Sequence, residues 1–234
     1  MKIQTLLASL LVSGAAMAQT PTMKPIVMKT PNEFYILAAS GNGKWACGTY
    51  SDYSNEQYGF LWNLETGEIE MLDPSKPSVA WAVSDDGLVV GTFEDSSYKS
   101  NGAAVELAGY WANGKWNRFE MPSDDVTSSG AASISPDGHY VTGNVQESGI
   151  YTGYIWKDGK IVKELPSSNC SMPYAIGPDG RSAAGWIERD NRTACIWEAD
   201  GEVTFLSEYQ SPWSSARKYT HDGKNLLYWG GWDD

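Results

Sequence analysis

The sequence is poor in the residues that catalysis uses most. It has two histidines and three cysteines in 234 residues. His139 follows a turn and His221 lies inside one, so both read as solvated turn residues. No G-x-S-x-G, H-E-x-x-H, P-loop or EF-hand pattern occurs. Basic residues are scarce as well, 17 Lys and Arg against 29 Asp and Glu, for a net charge of −12. A surface of that sign repels nucleic acid and anionic membrane, which removes both from the expected partners. Beyond Ala18 no apolar run approaches the roughly 20 residues that a membrane span needs, so membrane insertion is not expected. Helical signals are missing too: past the same point no apolar stripe of period 3.6 lasts more than two turns.

What is present starts with the export signal. MKIQTLLASLLVSGAAMAQT places Lys2 before an apolar run from Leu6 to Val12, then small residues ending Ala16-Met17-Ala18. This reads as a signal peptide over residues 1–18, and a secreted or periplasmic location follows. The acidity then serves solubility outside the cell. Hydrophobic residues at 41 % and aromatics at 12 % argue for a folded core rather than disorder.

In an oxidising compartment three cysteines allow one internal pair at most. Cys170 and Cys195 are the two that can be considered for it, and the pairing stays open. Cys47 stands where other repeats carry Val90, Thr142 and Ala184, which points to a small buried residue. The cysteines show no metal-ligand spacing. The acidic stretches Asp52 to Glu56, Glu94 to Asp95 and Asp124 to Asp125 lack the spacing of a Ca²⁺ loop. Neither metal nor cofactor is expected.

The strongest signal is a repeat. The turns SGNG, SDDG, SPDG, GPDG and THDG end at Gly43, Gly87, Gly138, Gly180 and Gly223, spaced by 44, 51, 42 and 43 residues. Each is followed by apolar residues and a second glycine: Gly48, Gly91, Gly143, Gly185 and, less regularly, Gly230. Four units then carry an aromatic segment ending at Trp62, Trp111, Trp156 or Trp197, which read as packing residues. A second turn follows each (ETGE, ANGK, KDGK, ADGE) and leads to a last short strand. The turn glycines supply the positive φ that re-enters a sheet, so the Asp or Asn before them is structural rather than catalytic.

Four short strands per unit of this length, repeated, predict an all-β fold: a β-propeller of four-stranded antiparallel blades. The expected divisions are an N-terminal segment at 19–33, then propeller repeats over 34–234. The blades fall at about 34–76, 77–125, 126–168 and 169–212, with a partial fifth at 213–234. The segment Lys24 to Asn32 resembles the last strand of the third repeat, KIVKELPSSN, and is expected to complete the last blade from the N-terminal side. The fifth unit stops after two strands. The expectation drawn is a truncated ring or, should the chain end at Asp234, intermolecular strand pairing.

The pattern A-x-x-V-S-x-D-G-x-V-V-x-G, carried by Ala80, Val83, Ser84, Asp86, Gly87, Val89, Val90 and Gly91 and followed by Trp111, resembles the HAF repeat of extracellular bacterial proteins. The likeness covers nearly all of residues 34 to 232. The His-Ala-Phe triplet that names the family is replaced by FLW, GYW, YIW and CIW. WD-repeat and Tol-associated propellers are similar more weakly, because the Gly-His and Trp-Asp dipeptides are missing. The resemblance implies an exported repeat protein with no defined reaction.

Candidate site residues come from the repeat register. Six residues before each turn glycine, at the channel end of the first strand, stand Leu37, Trp81, Ala132, Tyr174 and Arg217. Two aromatics and an arginine near an axial opening suit stacking on a sugar ring and bonding to its hydroxyls or carboxylate, although Trp81 and Tyr174 equally suit packing between blades. Trp213 in SPWSS is a further candidate for a solvent-facing contact. The second-to-third-strand connections, among them Ser51 to Gln57, Glu94 to Glu106 and Glu188 to Arg192, read as long polar loops on the same face.

The preferred function is a non-enzymatic exported propeller that binds a glycan or a protein ligand through this face. The alternatives are a structural spacer in a larger surface protein, or a glycan hydrolase or lyase using loop carboxylates such as Asp52 and Glu94.

Overall fold

The computed structural model describes residues 33–51, 56–100, 102–167, 169–206 and 213–230. The signal segment, the stretch Lys24 to Asn32, Asp52 and Trp232 lie outside them. No helix among the described residues is long and apolar enough to cross a membrane.

The turn glycines set the architecture. The first sheet is β1 (Glu33–Ala39), β2 (Trp45–Ser51), β3 (Gln57–Asn63) and β4 (Ile69–Met71). The second is β5 (Ser78–Val83), β6 (Val89–Ser100), β7 (Ala103–Ala112) and β8 (Lys115–Arg118). The third comprises β9 (Val126–Ile134), β10 (Tyr140–Glu147), β11 (Ile150–Lys157) and β12 (Lys160–Leu165). The fourth comprises β13 (Ser171–Ile176), β14 (Ala183–Glu188), β15 (Arg192–Trp197) and β16 (Val203–Phe205), and β17 (Ser214–Tyr219) with β18 (Leu226–Gly230) makes a two-stranded fifth. Within every sheet the strands lie in chain order and pair antiparallel. These are propeller blades.

The first hairpin turn works as the sequence requires. In the second blade Gly87 has φ +91° and returns its N–H to Ser84 O, while Leu88 N–H bonds Ser84 Oγ at 2.9 Å. Asp137 accepts from Ser135 Oγ and from His139 N–H in the equivalent turn. Burial alone would raise its carboxyl pKa, and these hydrogen bonds outweigh burial and hold it below the usual value. The carboxylates of Asp137, Asp179 and Asp222 therefore hold N–H groups of their own turns, and that of Asp86 holds the Ser84 hydroxyl. The second turns are of two kinds. Asn113-Gly114 and Asp158-Gly159 have positive φ at both residues, the type I′ hairpin, whereas before Gly67 the side chain of Asn63 accepts the N–H groups of Glu65 and Thr66.

The core lies between blades. Middle strands covered on both faces are buried without a break, as in β2 and β14, while the outer strand β12 alternates. Cys47, Leu61 and Leu72 of the first blade pack on Val83, Val89, Phe93 and Trp116 of the second. Leu107 and Phe119 then pack on Val141 and Trp156 of the third, and Leu165 packs on Ile176 and Trp197 of the fourth. Cys47 is fully buried, and burial pushes its thiol pKa up to about 12.

All three thiols are free. Cys170 and Cys195 do not pair, for a geometric reason. Cys170 immediately precedes β13, and Cys195 sits in β15 with β14 between them. Two strand spacings of about 4.8 Å exceed the roughly 7 Å Cα separation a disulfide tolerates.

A further repeat, unread in the sequence, joins neighbouring blades. The third-strand N–H groups of Gly59, Ala108, Gly153 and Ala194 donate to Ser78, Ser129, Ser171 and Ser214 Oγ on the first strand of the next blade, at 2.8 to 3.0 Å. All four serines are buried and stand nine residues before a turn glycine. In the first blade that position is Phe34, stacked on Tyr50 at 5.5 Å. Ser171→Ala leaves the Gly153 N–H buried without its partner. An expected loss of about 1–3 kcal/mol follows, read as a lower urea midpoint with unchanged slope. The exposed Ser97→Ala should leave the midpoint in place.

Candidate functional site

The pairing register of every first strand slips by one residue at the same point. The skipped residue is Leu37 between Ile36 and Ala38, Trp81 between Ala80 and Ala82, and Ala132 between Ala131 and Ser133. In the last two blades it is Tyr174 between Pro173 and Ala175, and Arg217 between Ala216 and Lys218. These are β-bulges, which bend a strand and re-aim the extra side chain. The bulge presses the first strand's backbone against the second strand. A Cβ added to Gly48, Gly91, Gly143 or Gly185 would lie 1.9 to 2.1 Å from a first-strand carbonyl oxygen. Hence the second glycine of each complete unit. Tyr228 holds the equivalent place in the fifth, opposite Ala216.

The five bulged residues converge. Leu37, Trp81, Ala132, Tyr174 and Arg217 all line one cavity of about 600 Å³ where the first strands meet. Trp81 is 44 % exposed, so it presents a ring face to this space instead of packing between blades. Its indole N–H donates to Thr92 Oγ1 at 3.2 Å, which fixes the ring. The Arg217 guanidinium lies 4.4 Å from the centre of the Tyr174 ring, and Tyr174 Oη accepts the Trp186 indole N–H at 3.3 Å. Among the described residues neither Arg217 nor Lys218 has a carboxylate within 4.0 Å. Ser128, Ser133, Asn144 and Glu106 add short polar groups to the wall. The arrangement offers two aromatic faces, an open guanidinium edge and a set of hydroxyl and amide groups.

Trp213 lies apart from the cavity. It is 52 % exposed, bridges Arg192 by backbone pairing, and has the Arg192 guanidinium 4.8 Å from its ring. Glu94 does not line the cavity; its N–H bonds Pro77 O beside the edge of β5. The stretch Glu94 to Glu106, expected as a loop, is largely the extended β6–β7 hairpin, with a register shift between Asp95 and Lys99. Its serines and charges are those of a solvated hairpin, where one face has no neighbour to cover it. Two of the other connections are tight: Ser148-Gly149 turns with both φ positive, and β14 and β15 are separated by three residues. No group of three or more His, Cys, Asp or Glu that could hold a metal ion occurs among the described residues.

Thr92, Asn144 and Trp186 were missed, although each directly follows a second-strand glycine, the one signal that marks them. His139 is exposed and paired with Asp158 at 2.7 Å, a hydrogen bond and an opposite charge that together raise its pKa. His221 lies beside Gly41 and 3.8 Å from Asp85, also in the turns.

No protein-family model and no curated protein matches the chain. Solved structures do. TolB from Acinetobacter baumannii is similar at 16 % identity and a TM-score of 0.50, over 87 % of this chain and 56 % of that one. A protein assigned as TolB from Agrobacterium tumefaciens gives 15 % identity and a TM-score of 0.53, over 72 % and 63 %. A prolyl endopeptidase gives 12 % and 0.51, over 79 % of this chain and 30 % of that chain. The chain thus spans less than two thirds of the length of these neighbours. At such identities the likeness concerns the fold alone: the chain is a β-propeller.

Proposed function

We propose that this is an exported, non-enzymatic propeller of the HAF-like repeat type that binds a glycan in the cavity at the channel mouth. The observation that carries the reading is the convergence of the five bulged residues on one cavity, with the Trp81 face open and the Tyr174–Arg217 pair beside it. Sugar rings stack their C–H faces on aromatic rings, and their hydroxyls match short polar groups such as Thr92, Ser128 and Asn144. Export is read from the N-terminal segment. Hydrolysis is the weaker reading. It needs two carboxyl groups about 5–10 Å apart, and Glu106 is the one carboxylate among the described lining residues.

Trp81→Ala and Arg217→Ala each remove a surface contact and little core. Glycan binding, screened on an array and quantified by calorimetry, should fall at least tenfold in each variant while the melting temperature stays within about 2 °C of the parent. Variants that unfold would return these residues to a structural role, and variants that bind normally would sink the assignment.

A further inference from the structure

A row of side chains leads away from the cavity at Tyr174. Trp186, whose indole N–H bonds Tyr174 Oη, has the Arg192 guanidinium 4.6 Å from its ring centre, and the same guanidinium lies 4.8 Å from the centre of the Trp213 ring. Five side chains therefore run in contact from Trp213 through Arg192, Trp186 and Tyr174 to Arg217. Trp186 is buried and anchors the row, whereas Trp213, Arg192 and Arg217 are exposed. Neither arginine has a carboxylate within 4.0 Å among the described residues, in contrast to Arg118, which pairs with Asp95 at 3.0 Å. A guanidinium stacked on a ring can keep its N–H edge free, and that edge donates two parallel hydrogen bonds to a carboxylate. A clip between blades needs only Arg192 between two tryptophans. It requires neither a second unpaired arginine at the other end of the row nor an open face on Trp213.

We infer that the row is an outer subsite continuous with the cavity, and that its ligand is a linear acidic glycan. Uronate carboxylates meet Arg192 and Arg217, and sugar rings lie on Trp213 and Tyr174. This rests on the cavity reading above and deepens it. Trp213, immediately before β17, and Arg217 within it are four residues apart in extended chain, at most roughly 13 Å at about 3.3 Å per residue; one sugar ring is shorter than that, and several linked rings span it. The net charge of −12 repels polyanions at long range, so recognition depends on contact with the two guanidinium groups. The hydroxyl and amide groups beside the rings favour a glycan over an acidic peptide.

The test is calorimetric titration of the full chain with galacturonate oligomers of one to six units and with their methyl esters, which keep the shape and lose the charge. Affinity should rise at least tenfold from one unit to four, and esterification should abolish the rise. Trp213→Ala and Arg192→Gln should each remove the gain with length, leaving binding of the single unit and the melting temperature unchanged. Affinity independent of length, or a gain that survives Arg192→Gln, overturns the outer subsite. If Trp81→Ala still removes binding of short oligomers in that case, the cavity reading stands. Length-dependent binding of glutamate oligopeptides with no binding of galacturonates overturns the glycan assignment. Absence of binding by acid and ester alike overturns the acidic-glycan subsite, and the cavity reading then falls only if the glycan array is blank as well.

Discussion

Gly143→Ala should destabilise the protein by more than about 3 kcal/mol, at or beyond the upper end of what overpacking costs. The added Cβ would sit 2.0 Å from Gly130 O and 2.9 Å from Ala131 Cα, both backbone atoms of the neighbouring strand β9. A side chain could rotate away, but a carbonyl held in a sheet cannot. Relief requires flattening the bulge at Ala132 or parting β9 from β10. Gly114→Ala is the control. It has φ +71° with no atom within 4 Å of the added methyl, so it bears only the left-handed conformation, about 1–2 kcal/mol. Urea denaturation of the two variants separates the causes. Equal losses would mean that the bulge relaxes at little cost, and that the second-strand glycines are not what sustains it.

The same contact links fold to site. The bulge turns one residue of each first strand toward the cavity, and in the four complete blades the glycine opposite lets the strands approach while it does so. The substitution should therefore displace residue 132 and disturb the cavity wall even where the fold survives.

This explains how much was legible in the sequence. Counting six residues back from the turn glycines finds Leu37, Trp81, Ala132, Tyr174 and Arg217 because the bulge falls at a constant distance from a turn of constant geometry. That these residues share a cavity depends on the radial arrangement of blades, which the repeat implies and the structure shows. What the count does not reach is set by cross-strand neighbours. Trp186 and Arg192 join Tyr174 and Trp213 only because β14 and β15 lie beside β13 and the start of β17, at sequence separations that no local pattern encodes. The extended β6–β7 hairpin was read as a loop because its serines and charges are what a loop also carries. The buried serines between blades went unseen for the converse reason: a serine among apolar residues reads as noise until the N–H it receives is placed opposite.

The recurring tryptophans carry the second large effect. Trp156 is fully buried, stacks on Phe119 of the preceding blade at 5.4 Å, and donates its indole N–H to Glu120 O at 2.8 Å. Trp156→Ala removes the ring and leaves a cavity between blades, so a loss of about 3–5 kcal/mol is expected. Trp197 donates in the same way to Pro166 O at 3.0 Å, and Trp111 to the Glu70 carboxylate at 2.8 Å. Trp62 is the exception: it is buried and its indole N–H has no hydrogen-bond partner among the described residues. Its three counterparts reach back to the preceding blade, and no sheet precedes the first among the described residues. Phenylalanine substitutions turn this difference into a measurement. Trp156→Phe keeps a ring against Phe119 and strands the Glu120 carbonyl, whereas Trp62→Phe removes a donor that is already unsatisfied. The first should cost more than the second by about 1 kcal/mol, the net worth of one such hydrogen bond. Equal costs would show that the Trp62 N–H has a partner in solution, and would place a covering group against the outer face of the first blade.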